Sequence, residues 1–489
     1  MIFAAIASSL AGSIVHVETE ETNATVRERF RVSNMNLDRA ALSESLNLIH
    51  TRDSFAVCMS FTGSDQSDTL ENRSDESLEG FCRKLKLHVD EDGSISGLLT
   101  ISITKGFQAR TATIYSLRHI EEYWREGGIG QAATKLKSLS DKAYILESTE
   151  ISTSASCGLF VFRQSGGADT KATNPETPNK EKFLAARDKS CLFYESKSFP
   201  FIPQDFDFSS QLAHKGIREL FNTLKLVFSI IFMADISSLS LAEFSATIKG
   251  YKHISSSIKF GGGGDEAVAS TYYEIYLWAY SEGSVTDKLG ILRNLLSIHI
   301  DNDDFRDVRS GTMQAMVSNY SIYLKENVKQ YIDIKNKLSD QIQKQSEKAG
   351  DMVKTIGVYL RTSVFSVYSF VVTTFIIRAM SKPSSEGMFT NGVYLIFLMF
   401  LVLSLGTLIY AYKESEAELE RFKSIYQSFK TRYDDLLSKS DRDRILQNDI
   451  EFNRDCEYVK QSRKRAVILW GCALAAVFAF VSLVKVFKY

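Results

Sequence analysis

Apolar residues follow three different rhythms along this chain, and each rhythm predicts a different kind of structure. In the first third they alternate with polar ones or gather in short runs. Ala24 to Val32 interleaves apolar and charged positions, and Ser54 to Phe61, Leu85 to Val89 and Leu98 to Ile103 are strand-length runs. Such patterns predict half-buried or buried strands. Met1 to Val17, mildly apolar and rich in Ala and Ser, predicts an opening strand, and with no Lys or Arg before its apolar stretch it does not fit a secretory signal. Leu37 to His50 and Leu117 to Leu139 have helical spacing, and Thr62 to Gly80 reads as a Ser/Asp/Glu loop. Tyr144 to Glu147 with Gly158 to Phe162 close the unit, so residues 1–163 predict an α+β soluble domain.

The second rhythm is helical. Residues 164–182 change to Gly, Thr, Asn and Lys with Pro175 and Pro178, the composition of a linker or long exposed loop. Beyond Lys189, Gln211 to Ala234, Ser270 to Ser281 and Thr286 to His299 carry apolar faces at i, i+3 and i+4, with one strand pair expected between Leu241 and Phe260. Residues 183–316 therefore predict a mainly α domain. A stalk helix is expected over 317–355, where Leu324, Val328, Tyr331, Ile334, Leu338 and Ile342 recur at three- and four-residue steps.

The third rhythm is continuous. A bilayer core about 30 Å thick needs about 20 apolar residues in a helix, which satisfies its own backbone. Three segments qualify, 356–377, 388–412 and 466–484, and the only charge within them is Arg361 near the start of the first. Leu226 to Ala234 is apolar but short, flanked by Lys225 and Asp235, and reads as a buried core helix. Basic residues at the span ends are unequal. Lys344, Lys348, Lys354, Lys413, Arg421, Lys423, Lys460, Arg463, Lys464 and Arg465 stand against Arg378, Lys382, Lys485 and Lys488. The positive-inside rule puts 1–355 and 413–465 in the cytoplasm and the C-terminus outside an inner membrane crossed three times.

Between the second and third spans, Leu419, Phe422, Tyr426, Phe429, Tyr433 and Leu436 step by 3, 4, 3, 4 and 3, a heptad seam. Ser440-Asp441-Arg442-Asp443 has the form of a capping box with Asp for Glu, and Ile445, Cys456 and Val459 follow. Residues 413–465 thus predict a cytoplasmic helical hairpin with two arms of about 25 residues, packing with the long helix.

Composition narrows the function classes. Lys+Arg 58 against Asp+Glu 59 leaves a net charge of -1, so no basic excess points to direct nucleic-acid contact. The six cysteines, Cys58, Cys82, Cys157, Cys191, Cys456 and Cys472, form no C-x-x-C pair and none lies at zinc-ligand spacing from a histidine. Gly128-Ile-Gly130-Gln-Ala-Ala has G-x-G-x-x-A form but follows a helical pattern instead of a strand, and Gly261–Gly264 precede Asp265-Glu266 without a Lys. Neither makes a nucleotide loop, and no cofactor is expected. Asp301-Asn302-Asp303-Asp304 and Asp307, with His299 beside them, could offer oxygen ligands to a cation or cap neighbouring helices. Glu195-Ser-Lys197, with Asp188 upstream, could serve a metal-dependent nuclease or form a solvated strand edge.

Two surfaces carry the functional expectation. Thr355, Thr362, Ser366, Ser369 and Thr373 line one face of the first span, near Arg361, while Gly471, Ala475 and Ala479 form a small-residue ridge on the third. The hydroxyls either bond their own helix or form a polar path when several copies meet. Tyr273, Tyr276 and Tyr280 share a helix face that is either core or a partner surface.

In plan, the soluble front with a few C-terminal spans resembles the membrane-anchored effectors of bacterial anti-phage systems, abortive-infection and retron-type among them. The resemblance is architectural and rests on no diagnostic motif. It implies a sensing domain with a protein partner, antitoxin-like or sensory, and a homo-oligomer. Activation would then bring membrane depolarisation or growth arrest. The alternatives are a constitutive membrane tether or assembly protein and a membrane-bound metal-dependent nuclease.

Overall fold

The computed structural model describes residues 2–63, 65–92, 96–166, 179–210, 212–260, 266–381, 389–433 and 439–487. Pro175 and Pro178 of the expected linker, the Gly261–Gly264 run and Leu436 of the expected seam lie outside these. The chain forms two compact units, Met1–Ile322 and Tyr323–Tyr489.

The first unit opens with α1 (Ile2–Leu10), β1 (Ala11–Glu21), β2 (Thr25–Met35), α2 (Arg39–Asn47), β3 (Ser54–Phe61), β4 (Ser67–Leu70), α3 (Asp75–Asp92) and β5 (Ser96–Thr104). The strands make one antiparallel sheet in the order β1-β2-β5-β3-β4. Strict alternation sends Phe55, Val57, Met59 and Phe61 of β3 and Leu99, Ile101 and Ile103 of β5 to one face. Phe3, Ile6, Leu10, Leu42, Leu46, Leu78, Phe81 and Leu85 from the three helices join that core.

Three expectations in this stretch change. The opening strand is the helix α1 followed by β1, because Phe3, Ile6, Ala7 and Leu10 form one buried helical stripe. The 62–80 loop contains β4 and the start of α3. Leu85 to Val89 is helical: Leu78, Phe81, Cys82 and Leu85 recur at i, i+3, i+4 and i+7, a period that a five-residue window cannot reveal.

The chain continues through β6 (Thr111–Thr113), α4 (Leu117–Arg125), α5 (Ile129–Ser140), β7 (Ile145–Ser148), β8 (Ala155–Ser156) and β9 (Val161–Gln164). β6, β7 and β9 run parallel, and β8 pairs antiparallel at the edge. Then come α6 (Lys180–Ser190), β10 (Leu192–Phe193), α7 (Lys215–Ile231), β11 (Ile236–Leu239), β12 (Phe244–Lys249), β13 (His253–Ile258), α8 (Glu266–Ala279), α9 (Val285–His299) and the start of α10 (Thr312–Met380). The expected strand pair is β12–β13, extended by β11 and β10 into a four-stranded sheet.

One apolar core runs from Ala112 to Met316. Phe162 and Cys191 both belong to it, so the residues flanking 164–182 share a core, and the two cores of this unit divide between Ile103 and Ala112. At its centre is α7, buried on all sides through Leu220, Phe221, Leu224, Val227 and Phe228 and followed by buried Phe232 and Met233. An apolar helix of this length has protein on every face instead of lipid.

The first turn of α5 is pressed onto the β11–β12 turn. Gly128 has φ +96° and ψ -174°, and a Cβ there would lie 2.5 Å from Ala242 Cα; on Gly130 it would lie 2.2 Å from the Ser240 carbonyl oxygen. That close approach lets the Leu241 carbonyl accept from the Gly130 and Gln131 amides at 3.1 and 3.2 Å. The G-x-G-x-x-A glycines therefore serve backbone docking.

The second unit contains the rest of α10, then α11 (Asn391–Arg432), α12 (Lys439–Ile445) and α13 (Ile450–Val486). Among the described residues three helices, α10, α11 and α13 with the turn before it, are long and apolar enough to cross a membrane. The expected return arm of the hairpin is not one helix. Gln447, Asn448 and Asp449 all have positive φ, and this turn separates α12 from α13.

Gly128→Ala tests the backbone docking. That backbone geometry is open only to glycine, so the substitution costs about 1–3 kcal/mol. A lower urea midpoint, followed by tryptophan fluorescence of the full chain in detergent, is the expected result.

Candidate functional site

In the second unit, the apolar helices bury a narrow seam and expose the rest. Val367, Val371, Phe397, Trp470, Leu474 and Val481 form the interior, while Phe365, Leu395, Val402, Leu469 and Phe480 lie on the outside. An outward apolar belt of this kind is stable only in an apolar surrounding. Both ends of the belt carry tyrosine–cation pairs. Arg463 lies over the Tyr412 ring at 4.6 Å and Lys485 over the Tyr394 ring at 3.7 Å. Tyr412 lies eighteen residue steps beyond Tyr394 on α11, about 27 Å at helical rise and close to the thickness of a hydrocarbon core. Aromatic and basic side chains of this kind suit membrane–water interfaces.

Hydroxyl groups divide between the inside and the outside. Ser363 of α10 and Ser404 of α11 are hydrogen-bonded to each other, and the Trp470 indole of α13 donates to Ser404 Oγ at 3.3 Å. Thr407 joins through Ser363 at 3.4 Å. This three-helix polar knot was not singled out from the sequence, where Ser363 follows Arg361-Thr362 and Ser404, Thr407 and Trp470 are scattered through apolar runs. The expected strip is elsewhere: Thr355, Arg361, Thr362, Ser366 and Thr373 are exposed and Ser369 is half-buried. Ser366 Oγ donates to the Thr362 carbonyl at 2.8 Å and Thr355 Oγ1 to the Asp351 carbonyl at 2.9 Å, the self-satisfaction that lets a hydroxyl face lipid. Gly471, Ala475 and Ala479 are exposed as well. Strip and ridge both point away from the seam within one chain.

Of the hairpin seam, Leu419, Phe422 and Tyr426 are buried, and Leu419 and Phe422 cluster with Ala349 and Met352 of α10 and Cys456 and Val459 of α13. Phe429 and Tyr433 are half-buried, their rings 4.9 Å apart. Tyr426 stacks on Phe452 at 3.8 Å and donates to Asp449 Oδ1 at 2.6 Å, while Lys430 donates to Asp449 Oδ2 at 2.6 Å. Burial raises the Asp449 carboxyl, but those two bonds outweigh it and hold it below its usual value. This anchors the left-handed turn. Arg444 of α12 donates to the Tyr331 hydroxyl of α10 at 3.3 Å, and Leu324 and Val328, nearer the start of α10, are exposed.

The chemical motifs of the first unit resolve into structural contacts. Tyr276 is fully buried with its hydroxyl on Gln204 Oε1 at 3.0 Å, Tyr280 donates to the Phe232 carbonyl at 2.8 Å, and Tyr273 stacks on Tyr276. Tyr276 is core and Tyr273 and Tyr280 are half-buried against it, so this face packs inward, in keeping with the core reading and not with a partner surface. Glu195 accepts from Ser238 Oγ and the Leu239 amide at 3.0 and 2.9 Å, and Asp188 pairs with Arg187, so no carboxylate pair forms beside Lys197. Asp301 makes a double contact with Arg309, Asp307 accepts from Asn302, Asp304 caps the Arg306 amide and His299 bonds Thr312. The Arg309 guanidinium beside Asp301 holds that carboxyl below the usual range. No group of three or more His, Cys, Asp or Glu able to hold a metal occurs among the described residues.

A polar seam between the two cores of this unit went unnoticed in the sequence. Arg52 Nη2 donates to Glu147 Oε2 and to Thr113 Oγ1, both at 2.7 Å, and Arg163 donates twice to Glu147 Oε1 at 2.9 and 2.6 Å. Asp53 accepts from the Gly106 amide and Tyr115 hydroxyl, both at 2.7 Å, and buried Lys105 donates to Glu21 at 2.6 Å. Burial raises the Glu147 carboxyl, yet the hydrogen bonds from Arg52 and Arg163 win and hold it below the ordinary range. Burial and the adjacent Arg52 charge push the His50 imidazole down. Beside this network a cavity of about 240 Å³ is lined by Asn47, His50, Thr51, Tyr115, Thr149 and Ser165, among others. It lies outside the carboxyl ends of β6, β7 and β9, where open parallel sheets receive ligands. Its walls come from five separate stretches of chain, so no local motif announces it.

Compared with known proteins, the chain matches no family model, no curated protein and no solved structure.

Glu147 supplies a pH test. Its folded carboxyl is held low, so its contribution is complete above the unfolded value and is lost as pH falls through the folded one. Unfolding of the first unit should become easier below about pH 4. Glu147→Gln should flatten that acid dependence and, by leaving Arg163 without its carboxylate and Arg52 with only Asp53 at 4.0 Å, destabilise at neutral pH by about 3–5 kcal/mol. Amide exchange of β7 and β9 in the full chain across pH checks both.

Proposed function

We propose that the protein is an inner-membrane sensor–effector. The first unit faces the cytoplasm and engages a protein partner or small ligand, and the three apolar helices respond by assembling with other copies and letting ions pass. The architectural resemblance to anti-phage membrane effectors favours abortive infection as the setting. The observation that carries this reading is the division of hydroxyls in the apolar unit. Ser363, Ser404 and Thr407 are consumed in holding the three helices together, whereas Thr362, Ser366 and Thr373 remain on the outside. A hydroxyl face left outside is what a second copy needs to build a polar path. The basic excess at the ends of the spans supports a cytoplasmic first unit and hairpin.

A constitutive tether is the second reading, favoured by the Ser366 and Thr355 bonds to their own helix, which leave those hydroxyls content in lipid.

Controlled expression with a potential-sensitive dye separates the two. Activated wild-type protein is expected to collapse the membrane potential, and Thr362→Leu with Ser366→Leu and Thr373→Leu is expected to restore it at equal membrane abundance. A potential that never changes, or a triple variant as active as wild type, favours the tether.

A further inference from the structure

The outer surface of α10 and α13 carries a groove whose two halves differ in chemistry. Its first half, about 850 Å³, is lined by Arg361, Thr362, Phe365, Ser366, Leu469 and Ala473, among others. Its second half, about 480 Å³, continues past Tyr368 along Val372, Phe375, Ala476 and Phe480 and has almost no polar wall. The alanines of α13 supply the depth, since larger side chains at 473 and 476 would fill it.

Arg361 stands at the polar end. It is exposed, its Nε reaches only the Gly357 carbonyl at 3.3 Å, and no carboxylate pairs with it among the described residues. Its depth is set by its neighbours. Tyr359 lies two residues earlier and meets the Tyr410 ring at 6.5 Å, and Tyr412 meets Arg463. Arg361 is therefore about 3 Å inside the tyrosine level, close enough for its long side chain to reach the headgroups. From Arg361 to Ile376 the groove follows α10 for about 22 Å, more than the half-thickness of a hydrocarbon core.

We infer that this groove is a binding site for one anionic phospholipid. The phosphate sits on the Arg361 guanidinium, the glycerol and ester oxygens lie near Thr362 and Ser366, and one acyl chain runs between α10 and α13. Charge complementarity selects the occupant: an unpaired guanidinium at the mouth of an apolar channel calls for an anion with a long apolar tail. The inference rests on the membrane-crossing reading and adds to it a lipid that occupies the Thr362–Ser366 face until a second copy displaces it, which ties assembly to membrane composition.

The test uses the full chain in detergent, incubated with equal amounts of phosphatidylglycerol and phosphatidylcholine of matched chains, with retained lipid counted by native mass spectrometry. Phosphatidylglycerol should be preferred by about fivefold, the scale of one basic residue at an anionic surface. Arg361→Gln should remove the preference, Arg361→Lys should keep most of it, and Lys485→Gln, at the opposite end, should leave it unchanged. Ala473→Leu with Ala476→Leu should lower retention of both lipids. The proposal is overturned if Arg361→Gln keeps the preference or if the filled groove retains as much lipid. Lipid and a second copy compete for this face, so Phe365→Cys cross-linking of two copies should fall as the phosphatidylglycerol content of the vesicles rises, and cross-linking that does not fall overturns the proposal. Release of the chain from membranes by alkaline carbonate would remove the membrane-crossing reading itself, whereas firm insertion without lipid preference removes only the lipid site.

Discussion

Exposed hydrocarbon is the constraint on which the second unit depends. Residues such as Phe365 and Val402, about 70% and 68% exposed, point away from protein along the apolar helices. In water each buried methylene is worth about 0.8 kcal/mol, so a belt of such residues cannot stay uncovered. Lipid removes the problem, but it also removes the hydrophobic drive for the helices to join one another. That is why the Ser363–Ser404 contact and the Trp470 indole matter. They supply directional bonds where apolar contact alone discriminates little.

The first unit is held by a different force. Its two apolar cores meet across ionised groups, and the Glu147 carboxylate carries two guanidinium groups at once. Buried ion pairs of this sort add little net stability but permit few alternative arrangements. The geometry suits a domain that must keep a small cavity open beside His50 and Tyr115. A purely apolar contact would tend to close it. Cavity and network together set open space beside fixed charges within the first unit.

Much of this was legible in the sequence for simple periodic reasons. The spans, the buried strands β3 and β5 and the seam Leu419, Phe422 and Tyr426 each repeat one local rule over many residues. Short or mixed signals failed. The period of α3 was cut into a loop and a strand, and α1 was read as extended because nine apolar and small residues suit either form. The tyrosine face of α8 could be read as core or surface, and only its neighbours Gln204 and Phe232 decide for core.

The order of residues alone determined that three segments are apolar enough to cross a membrane, that the front is α+β, and that hydroxyls share one face of the first of those segments. These follow from helix and strand periods, which are local. Tertiary structure alone decided that this hydroxyl face and the small-residue ridge look outward, and that Ser363, Ser404 and Trp470 meet. It also decided that Arg52, Glu147 and Arg163 form one network. Those facts depend on which segments become neighbours. A hydrogen bond between residues 66 or 95 positions apart leaves no trace in the local pattern of either.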